Sequence, residues 1–456
     1  MKEGFRLNVL NRLKENFSEV EQALSKQEAV EESNRCLYCY DAPCITACPT
    51  GIDIPSFIQK ISSDNVYGSA RTIMEANPVG ASCARVCPTE ELCEGACVLN
   101  HSTTPIMIGK LQRYATDWAK HNEKVLFKRG KPIDRSIGII GGGPAGLSCA
   151  RELAVQGYSV TIYEANEEAG GLDTYGIVSF RLPKAVSRWE VEQVEELGVE
   201  IQTNCKVGVD VSFDEIQSKH DSIVLAIGMG EVPNLHLPGE TLEGVHDAIQ
   251  LVKSTKKDDL PEPLVGKAGV VIGAGNTAID GATCAVRLGA EQVQILYRRT
   301  SEEMTAYDFE YEFAKQDGVE FRWLTMPVHI HGNDEGKVTS IECMKMELQE
   351  PGEDGRRRVQ PIEGSNFTIE VDFVIKAIGQ NRYLELLNEI GVDHVNGVVR
   401  VEEGRFKTSL NDVYACGDVT FGEGHGEAMV VTAAEQGKQT AYRIHEHLQG
   451  QARTFA

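Results

Sequence analysis

The chain of 456 residues has no apolar run approaching the roughly 18 residues needed to span a bilayer. Its first 33 residues carry charges every few positions (Lys2, Glu3, Arg6, Arg12, Lys14, Glu15), so no secretory signal is expected. Basic residues are also scarce: 45 Lys and Arg stand against 68 Asp and Glu, a net charge of −23. Nucleic acid and anionic membranes bind through basic surfaces, so neither is expected as a partner. The one dense basic run, Arg356-Arg357-Arg358, lies in a Gly/Pro/Glu-rich stretch and is expected to be an exposed turn. No Ser–His–Asp arrangement, no paired thiol beside a flavin and no metal-hydrolase motif is present, so no side chain is assigned a catalytic role. The 11 histidines are scattered. His329 and His331, at alternate strand positions, and His445 and His447, on a terminal helix, are expected at the surface.

What is present is a soluble globular composition, 41% hydrophobic and 25% charged, long enough for about three domains. A cytoplasmic location is expected, where structural disulfides are rare and clustered cysteines more often bind metal. Eight of the 13 cysteines lie between Cys36 and Cys97. The other five (Cys149, Cys205, Cys284, Cys343, Cys416) are isolated and read as small buried apolar residues. Cys36-x2-Cys39-x4-Cys44-x3-Cys48-Pro49 is close to the bacterial ferredoxin run, in which three cysteines hold one cluster and the fourth another. Cys83-x3-Cys87-Pro88-x4-Cys93-x3-Cys97 supplies the remaining ligands for two [4Fe–4S] clusters. Zinc is the competing reading, but cysteine pairs spaced as independent tetrahedral sites are absent and the Cys-Pro ends favour iron–sulfur. Spacing alone does not say which thiol serves which cluster.

The fold expected is α/β: an N-terminal all-helical domain (1–130), then two doubly wound dinucleotide-binding domains. The first (131–260) is completed by a C-terminal segment (386–456), and the second spans 261–385. Ser25 and Glu28 have capping-box spacing before a helix. The strand Ser136–Ile140 leads into Gly141-Gly142-Gly143-Pro144-Ala145-Gly146, a helix over Leu147–Gln156 and a strand Ser159–Tyr163 ending at Glu164. Such glycines let a pyrophosphate approach the backbone at a helix N-terminus, and the acidic residue can bind a ribose hydroxyl. Gly417-Asp418, after a strand over Val413–Cys416, offers a carboxylate to the ribityl side of a flavin. The plan recurs from Gly269 to Arg299, with Gly273-Ala274-Gly275-Asn276-Thr277-Ala278 as the second fingerprint. Its second strand, Gln292–Tyr297, ends in Arg298-Arg299, and two guanidiniums suit a 2′-phosphate, so NADP(H) is expected over NAD(H). The polar segment Lys256–Pro263 is the expected boundary between the two domains. A nicotinamide gives two electrons as hydride, a cluster takes one at a time, and a flavin does both. The first site is therefore read as FAD and the second as NADPH.

Cys36-Leu37-Tyr38-Cys39-Tyr40-Asp41-Ala42-Pro43-Cys44, Ala84-Arg85-Val86-Cys87-Pro88-Thr89, Pro105-Ile106, Gly109-Lys110-Leu111-Gln112, Phe180-Arg181-Leu182-Pro183 and Gly437-Lys438-Gln439 resemble the N-terminal half of dihydropyrimidine dehydrogenase. In bacteria that half is a separate iron–sulfur flavoprotein subunit, within the wider family of glutamate synthase small subunits. The resemblance runs from about Ser25 to His447. It implies one cluster on Cys36, Cys39, Cys44 and Cys97, and another on Cys48, Cys87, Cys93 and the amide oxygen of Gln112, with Cys83 a spare thiol. It implies FAD contacts at Gly143–Gly146, Glu164, Gly171, Leu172, Arg181, Val207, Gly417 and Asp418. NADPH would touch Ala274, Gly275, Asn276, Thr277, Arg298, Arg299 and the loop Ala377–Gly379. It further implies an FMN-containing partner that reduces uracil or thymine. Asn276, Val178 and Thr305 depart from the family pattern, and residues 344–380 look more like glutamate synthase small subunits. That enzyme, with a glutamine-amidotransferase partner, is one alternative; a redox-responsive scaffold with purely structural clusters is another.

Overall fold

The computed structural model describes residues 12–257, 259–351, 357–422 and 428–454. The chain divides into two units, a larger one of residues 20–174, 181–229 and 382–456 and a smaller one of residues 1–19, 175–180 and 230–381.

The larger unit begins with helices α1 (Lys26–Ser33), α2 (Pro43–Ala47), α3 (Ile54–Ser62), α4 (Val66–Ala76), α5 (Gly80–Val86) and α6 (Ile108–His121). The capping box forms as its spacing requires: Glu28 N donates to Ser25 Oγ (3.3 Å) and Ser25 N to Glu28 Oε2 (2.8 Å). Phe57, Ile58, Ile61, Ile73 and Leu111 on α3, α4 and α6 form the buried seam of this helical part. Then follow β1 (Ser136–Ile140), α7 (Pro144–Gln156), β2 (Ser159–Tyr163), α8 (Lys184–Glu195), β3 (Glu200–Gln202) and β4 (Ser222–Leu225). Near the end of the chain come β16 (Val413–Ala415) and α14 (Val430–Thr454). The five strands make one parallel sheet in the order β16-β4-β1-β2-β3. β16 pairs Val413 with Ile223 and Ala415 with Leu225, so the C-terminal segment closes the first sheet. Parallel sheets need cover on both faces, and the fully buried Ile137, Ile139, Val224 and Leu225 show that they have it.

The helical part is fastened to the sheet part through helix ends. The last three carbonyls of α4 lack intrahelical partners. Arg151 on α7 donates Nη2 to Met74 O (3.1 Å) and Glu75 O (2.8 Å), and Lys438 Nζ on α14 donates to Ala76 O and Thr50 O (2.9 Å each). At the opposite pole, Glu190 on α8 accepts from Ala81 N (2.7 Å) and Ser82 N (3.0 Å) in the first turn of α5. Cations thus meet a helix C-terminus, the sign the backbone dipole favours, and a carboxyl group satisfies the first-turn N–H groups at an N-terminus.

The smaller unit carries β5 (Val245–Asp247), α10 (Ala248–Thr255), β6 (Ala268–Ile272), α11 (Asn276–Arg287), β7 (Gln292–Leu296), β8 (Glu320–Arg322) and β13 (Phe373–Lys376). Its five strands form a parallel sheet ordered β5-β13-β6-β7-β8. Inserted before β13 is an antiparallel sheet of β9 (Thr325–Gly332), β10 (Val338–Pro351), β11 (Arg357–Pro361) and β12 (Phe367–Glu370).

Two expectations differ from the structure. β5 precedes Lys256 yet belongs to the second sheet, with Val245 paired to Val374. The polar segment therefore lies inside the smaller unit, and polarity there marks solvent exposure, not a unit edge. In the basic run, Arg356 lies outside the described residues. Arg357 and Arg358 start strand β11, and Arg357 Nη1 stands 3.7 Å from Glu302 Oε2 and 3.8 Å from Glu303 Oε1. These two arginines lie in a paired edge strand instead of an exposed turn. The four singled-out histidines are at the surface and partly covered, the side chains of His331 and His447 being 40% and 32% exposed. His445 Nδ1 bonds with Tyr158 Oη (3.1 Å) and His447 Nε2 with Asp412 Oδ1 (3.0 Å). Among the described residues no helix is long and apolar enough to cross a membrane.

Candidate cofactor sites

The first glycine turn is constrained on all sides but one. Gly141 has φ 105°, and a Cβ there would meet Ala226 O at 2.3 Å; one on Gly146 would meet Gly141 O at 2.0 Å. A Cβ on Gly143 would find nothing nearer than Gly171 Cα at 3.7 Å. The turn is thus tight where it packs and open where a ligand would approach. Pro144 opens α7 and no side chain caps its Gly143 N-cap, which leaves first-turn N–H groups for an anion. Ala145 is buried against α14. Glu164, at the end of β2, accepts from Gly142 N (2.8 Å) and from Asn166 N and Nδ2 (2.8 Å each), tying the turn to the strand end.

Other expected residues gather here. Gly170 N donates to Gly142 O (2.7 Å), which brings Gly171 and the exposed Leu172 beside the turn. Val207 packs with Ile140, Tyr163 and Leu225, the last residues of β1, β2 and β4, at the C-terminal edge of the sheet. Gly417 N donates to Gln436 Oε1 on α14 (2.7 Å). Burial pushes the Asp418 carboxyl up to about 6, against the pull of the Arg382 guanidinium. Arg382 Nη1 also donates to Asp418 O (2.5 Å) and Nη2 to Phe421 O (2.7 Å), fixing this corner. Sequence reasoning passed over Arg382 and Gln436, for no motif marks a residue that acts on backbone. Arg181 lies half-buried ahead of α8.

The second turn repeats the plan in the smaller unit. A Cβ on Gly273 would meet Ala377 O at 2.1 Å, so the Ala377–Gly379 loop lies against the turn, and Gly379 has no heavy atom near its Cβ direction. α11 begins after Gly275 with no side-chain cap, and Thr277 is half-buried in its first turn. Two buried polar atoms here have no hydrogen-bond partner: Asn276 Oδ1 and Arg299 Nε. An uncapped helix start with an unsatisfied guanidinium nitrogen at the next strand end suits a phosphorylated nucleotide. Arg298 is exposed. Thr305 N donates to Ala274 O (3.3 Å), which places that departure from the family pattern beside the turn.

The eight clustered cysteines divide between two cavities in the larger unit. Cys36, Cys39, Cys44 and Cys97 line one, walled by Ile54, Ile58 and Ile108. Cys48, Cys83, Cys87 and Cys93 line the other, together with Asn77, Gln112 and Val431 of α14. Gln112 Nε2 donates to Gly80 O (2.7 Å), which leaves the amide oxygen as its remaining donor atom. Cys83, read from the resemblance as a spare thiol, is buried in the same cavity wall. Among the described residues, no three of these sulfurs lie within 4.8 Å of one another. A tetrahedral zinc with sulfur at about 2.3 Å would hold its ligands about 3.8 Å apart. The described sulfurs are therefore not spaced for a single tetrahedral zinc. Burial pushes the Cys44 thiol up to about 11 and raises Cys36 and Cys93. It also raises Cys83, and the neighbouring Cys87 thiol adds to the effect. A thiolate at these positions would need a cation beside it.

Comparison with known proteins agrees with this geometry. Residues 135–437 match the family model of pyridine nucleotide-disulphide oxidoreductases. The chain belongs to that family. Residues 13–124 of this oxidoreductase match a second model, described as dihydropyrimidine dehydrogenase domain II, 4Fe-4S cluster. The oxidoreductase is 32% identical over 440 residues to the glutamate synthase [NADPH] small chain of Escherichia coli (strain K12), covering 93% of this chain and 92% of that one. It is 33% identical over 421 residues to the NAD-dependent dihydropyrimidine dehydrogenase subunit PreT of Salmonella typhimurium, covering 92% and 94%. In fold it resembles Mycobacterium tuberculosis FprA in complex with NADPH, at 20% identity and TM-score 0.57, covering 71% of this chain and 86% of that one. The chain is thus an iron–sulfur flavoprotein oxidoreductase with a [4Fe–4S] domain and a fold that binds FAD and a pyridine nucleotide. The open glycine turns and the unsatisfied Arg299 Nε fit phosphorylated dinucleotides, and the two cysteine-lined cavities fit [4Fe–4S] clusters.

Proposed function

We propose that this oxidoreductase is a cytoplasmic electron-input subunit, drawing on NADPH and serving an FMN-containing partner that reduces uracil or thymine to the 5,6-dihydro product. A flavin accepts hydride from a nicotinamide and releases electrons singly, the form in which iron–sulfur clusters carry them. FAD would be held by Gly141–Gly146, Glu164, Gly171, Leu172, Arg181, Val207 and Gly417–Asp418. NADPH would be held by Ala274–Thr277, Arg298, Arg299, Ala377 and Gly379. Cys36, Cys39, Cys44 and Cys97 would ligate one cluster, and Cys48, Cys87, Cys93 and Gln112 the other.

One observation carries this reading. α14 touches both the first glycine turn and the second cysteine cavity: a Cβ on Gly437 would meet Ala145 O at 2.0 Å, and Val431 lines the cavity. A single helix therefore sets the flavin turn and one cysteine site side by side within one unit. Leu37 (61% exposed) and Val98 line the other cavity and stand in solvent, as do Tyr38 and Tyr40 (99%) on either side of Cys39 in the chain. An exposed apolar collar around a redox site suits docking of an electron acceptor.

The length-wide match to a glutamate synthase small chain supports a second reading, delivery to a glutamine-dependent partner. The complex should be assayed for NADPH consumption with uracil and, separately, with 2-oxoglutarate plus glutamine. Consumption driven only by the latter pair would transfer the assignment to the second reading. Steady NADPH oxidation with an artificial acceptor is expected from the chain alone, and its absence would leave only a scaffold role. Replacing Arg298 and Arg299 by alanine should raise KM for NADPH and narrow its preference over NADH.

A further inference from the structure

We propose that His329, His331 and Glu342 form an exchangeable surface site for one divalent transition-metal ion, with zinc the preferred occupant. Neither glycine turn and neither cysteine cavity uses these residues.

The register of β9 against β10 brings them together. Glu342 pairs with His329 and Ser340 with His331, so both imidazoles and the carboxylate project from one face of the ladder. The alternating residues Ile330, Ile341 and Cys343 are buried on the opposite face, packed with Val270, Leu296 and Val374. The donor face is thus the one solvent can reach. The register shift between Glu342 and Cys343 leaves Val328 as an extra residue on β9 beside the site, and such bulges re-aim side chains.

The donor geometry suits an ion better than a plain charge pair. One donor atom from each of the three residues lies within 4.8 Å of the other two. The imidazole rings stack with centroids 4.1 Å apart and planes 15° from parallel, so a shared ion would require one ring to turn until both in-plane lone pairs meet it. His331 Nε2 stands 3.5 Å from Glu342 Oε2. That is too long for a charge-assisted hydrogen bond, at about 2.7–2.9 Å. It is close to the separation of about 3.3 Å between two donors that each sit about 2.0 Å from a tetrahedral zinc. Asn366 Nδ2 donates to Glu342 Oε1 (2.6 Å), holding that oxygen and leaving Oε2 on the histidine side. A hydrogen-bonded outer partner of this kind orients a ligating carboxylate. Two imidazoles and one carboxylate form a three-ligand zinc set with a fourth position left for water. Copper(II) heads the order of divalent affinities but favours tetragonal geometry, whereas zinc takes the tetrahedral set of three ligands and a water.

The test uses the full chain with its flavin and clusters loaded. Equilibrium dialysis against Zn2+, followed by elemental analysis, should show one zinc per chain that is absent from the double variant H329A/H331A. Glu342→Gln, which keeps the shape and the Asn366 contact, should weaken zinc binding by about tenfold or more, and Asn366→Ala should also weaken it. Iron content, flavin content and melting temperature without zinc should be the same in all variants. Equal zinc stoichiometry and affinity in the wild type and H329A/H331A would overturn the proposal, as would no zinc bound by the wild type at micromolar concentration. In both cases the three residues would be an ordinary cross-strand contact.

Discussion

Glu190 shows how much one side chain can be asked to do. Its carboxyl accepts two backbone N–H groups of α5 and the Ser82 hydroxyl (2.5 Å), and burial pushes it up to about 8 from an ordinary 4.5. Because the folded chain binds this proton more tightly than the unfolded chain, the stabilisation is complete below 4.5 and lost as pH rises through about 8. The melting temperature of the loaded protein should therefore fall as pH rises from about 4.5 to about 8 and level off above it. Glu190→Gln keeps an acceptor for both N–H groups and carries no charge, so its melting temperature should stay level over the same span. A parallel slope in the two proteins would show that Glu190 is not the titrating group. No sequence pattern marks this glutamate. Its importance comes from the α8–α5 contact, which exists only once residues more than 100 positions apart have met.

At the scale of elements, legibility followed locality. β1, α7 and β2 fall where the apolar run, the glycines and Glu164 place them, because a strand–turn–helix unit is specified by neighbours in sequence. Each cysteine cavity takes three thiols from one short run, whose spacings single turns can fix, and a fourth, Cys97 or Cys48, that crosses over from the other run. The antiparallel sheet β9–β12 was not legible, since its pairing depends on long-range register and its faces are only half-buried. β5 lies ahead of the expected boundary at Lys256–Pro263, and a three-residue strand carries too little periodicity to mark it. The contact between α14 and α7 is an element property that can be tested. Gly437→Ala would drive a Cβ into the Ala145 carbonyl, and backbone on both sides cannot yield cheaply. It should cost about 1–3 kcal/mol and lower the flavin content of purified protein. Gly450→Ala, on the same helix with open space around it, should instead gain about 0.5–1 kcal/mol. Calorimetry of the pair separates helix propensity from close packing.

At the scale of the whole molecule, the chain leaves the larger unit at Met229 and re-enters it at Arg382. The two crossing segments run side by side: Gly230 N donates to Asn381 O and Asn381 N to Glu231 O, both at 2.8 Å. Tyr383 Oη also reaches Met229 O (3.4 Å), so the two ends of the larger unit already lie together. Residues 230–381, the main part of the smaller unit, are therefore an insertion whose ends meet, while β16 and α14 are integral to the first sheet and to the second cysteine cavity. A variant in which residues 230–381 are replaced by two glycines should still fold and retain flavin and iron. Phe17, Val178 and Phe180 pack with the removed unit and would need serine in their place to stay soluble. That variant should show a flavin spectrum and an iron content equal to those of the full chain, and no binding of NADPH. A chain ended at Asn381 removes fewer residues but takes β16, Val431 and Lys438, so it should lose both flavin and iron. If the shorter deletion kept its flavin and the insertion deletion lost it, the topology that joins the C-terminal segment to the first sheet would be refuted.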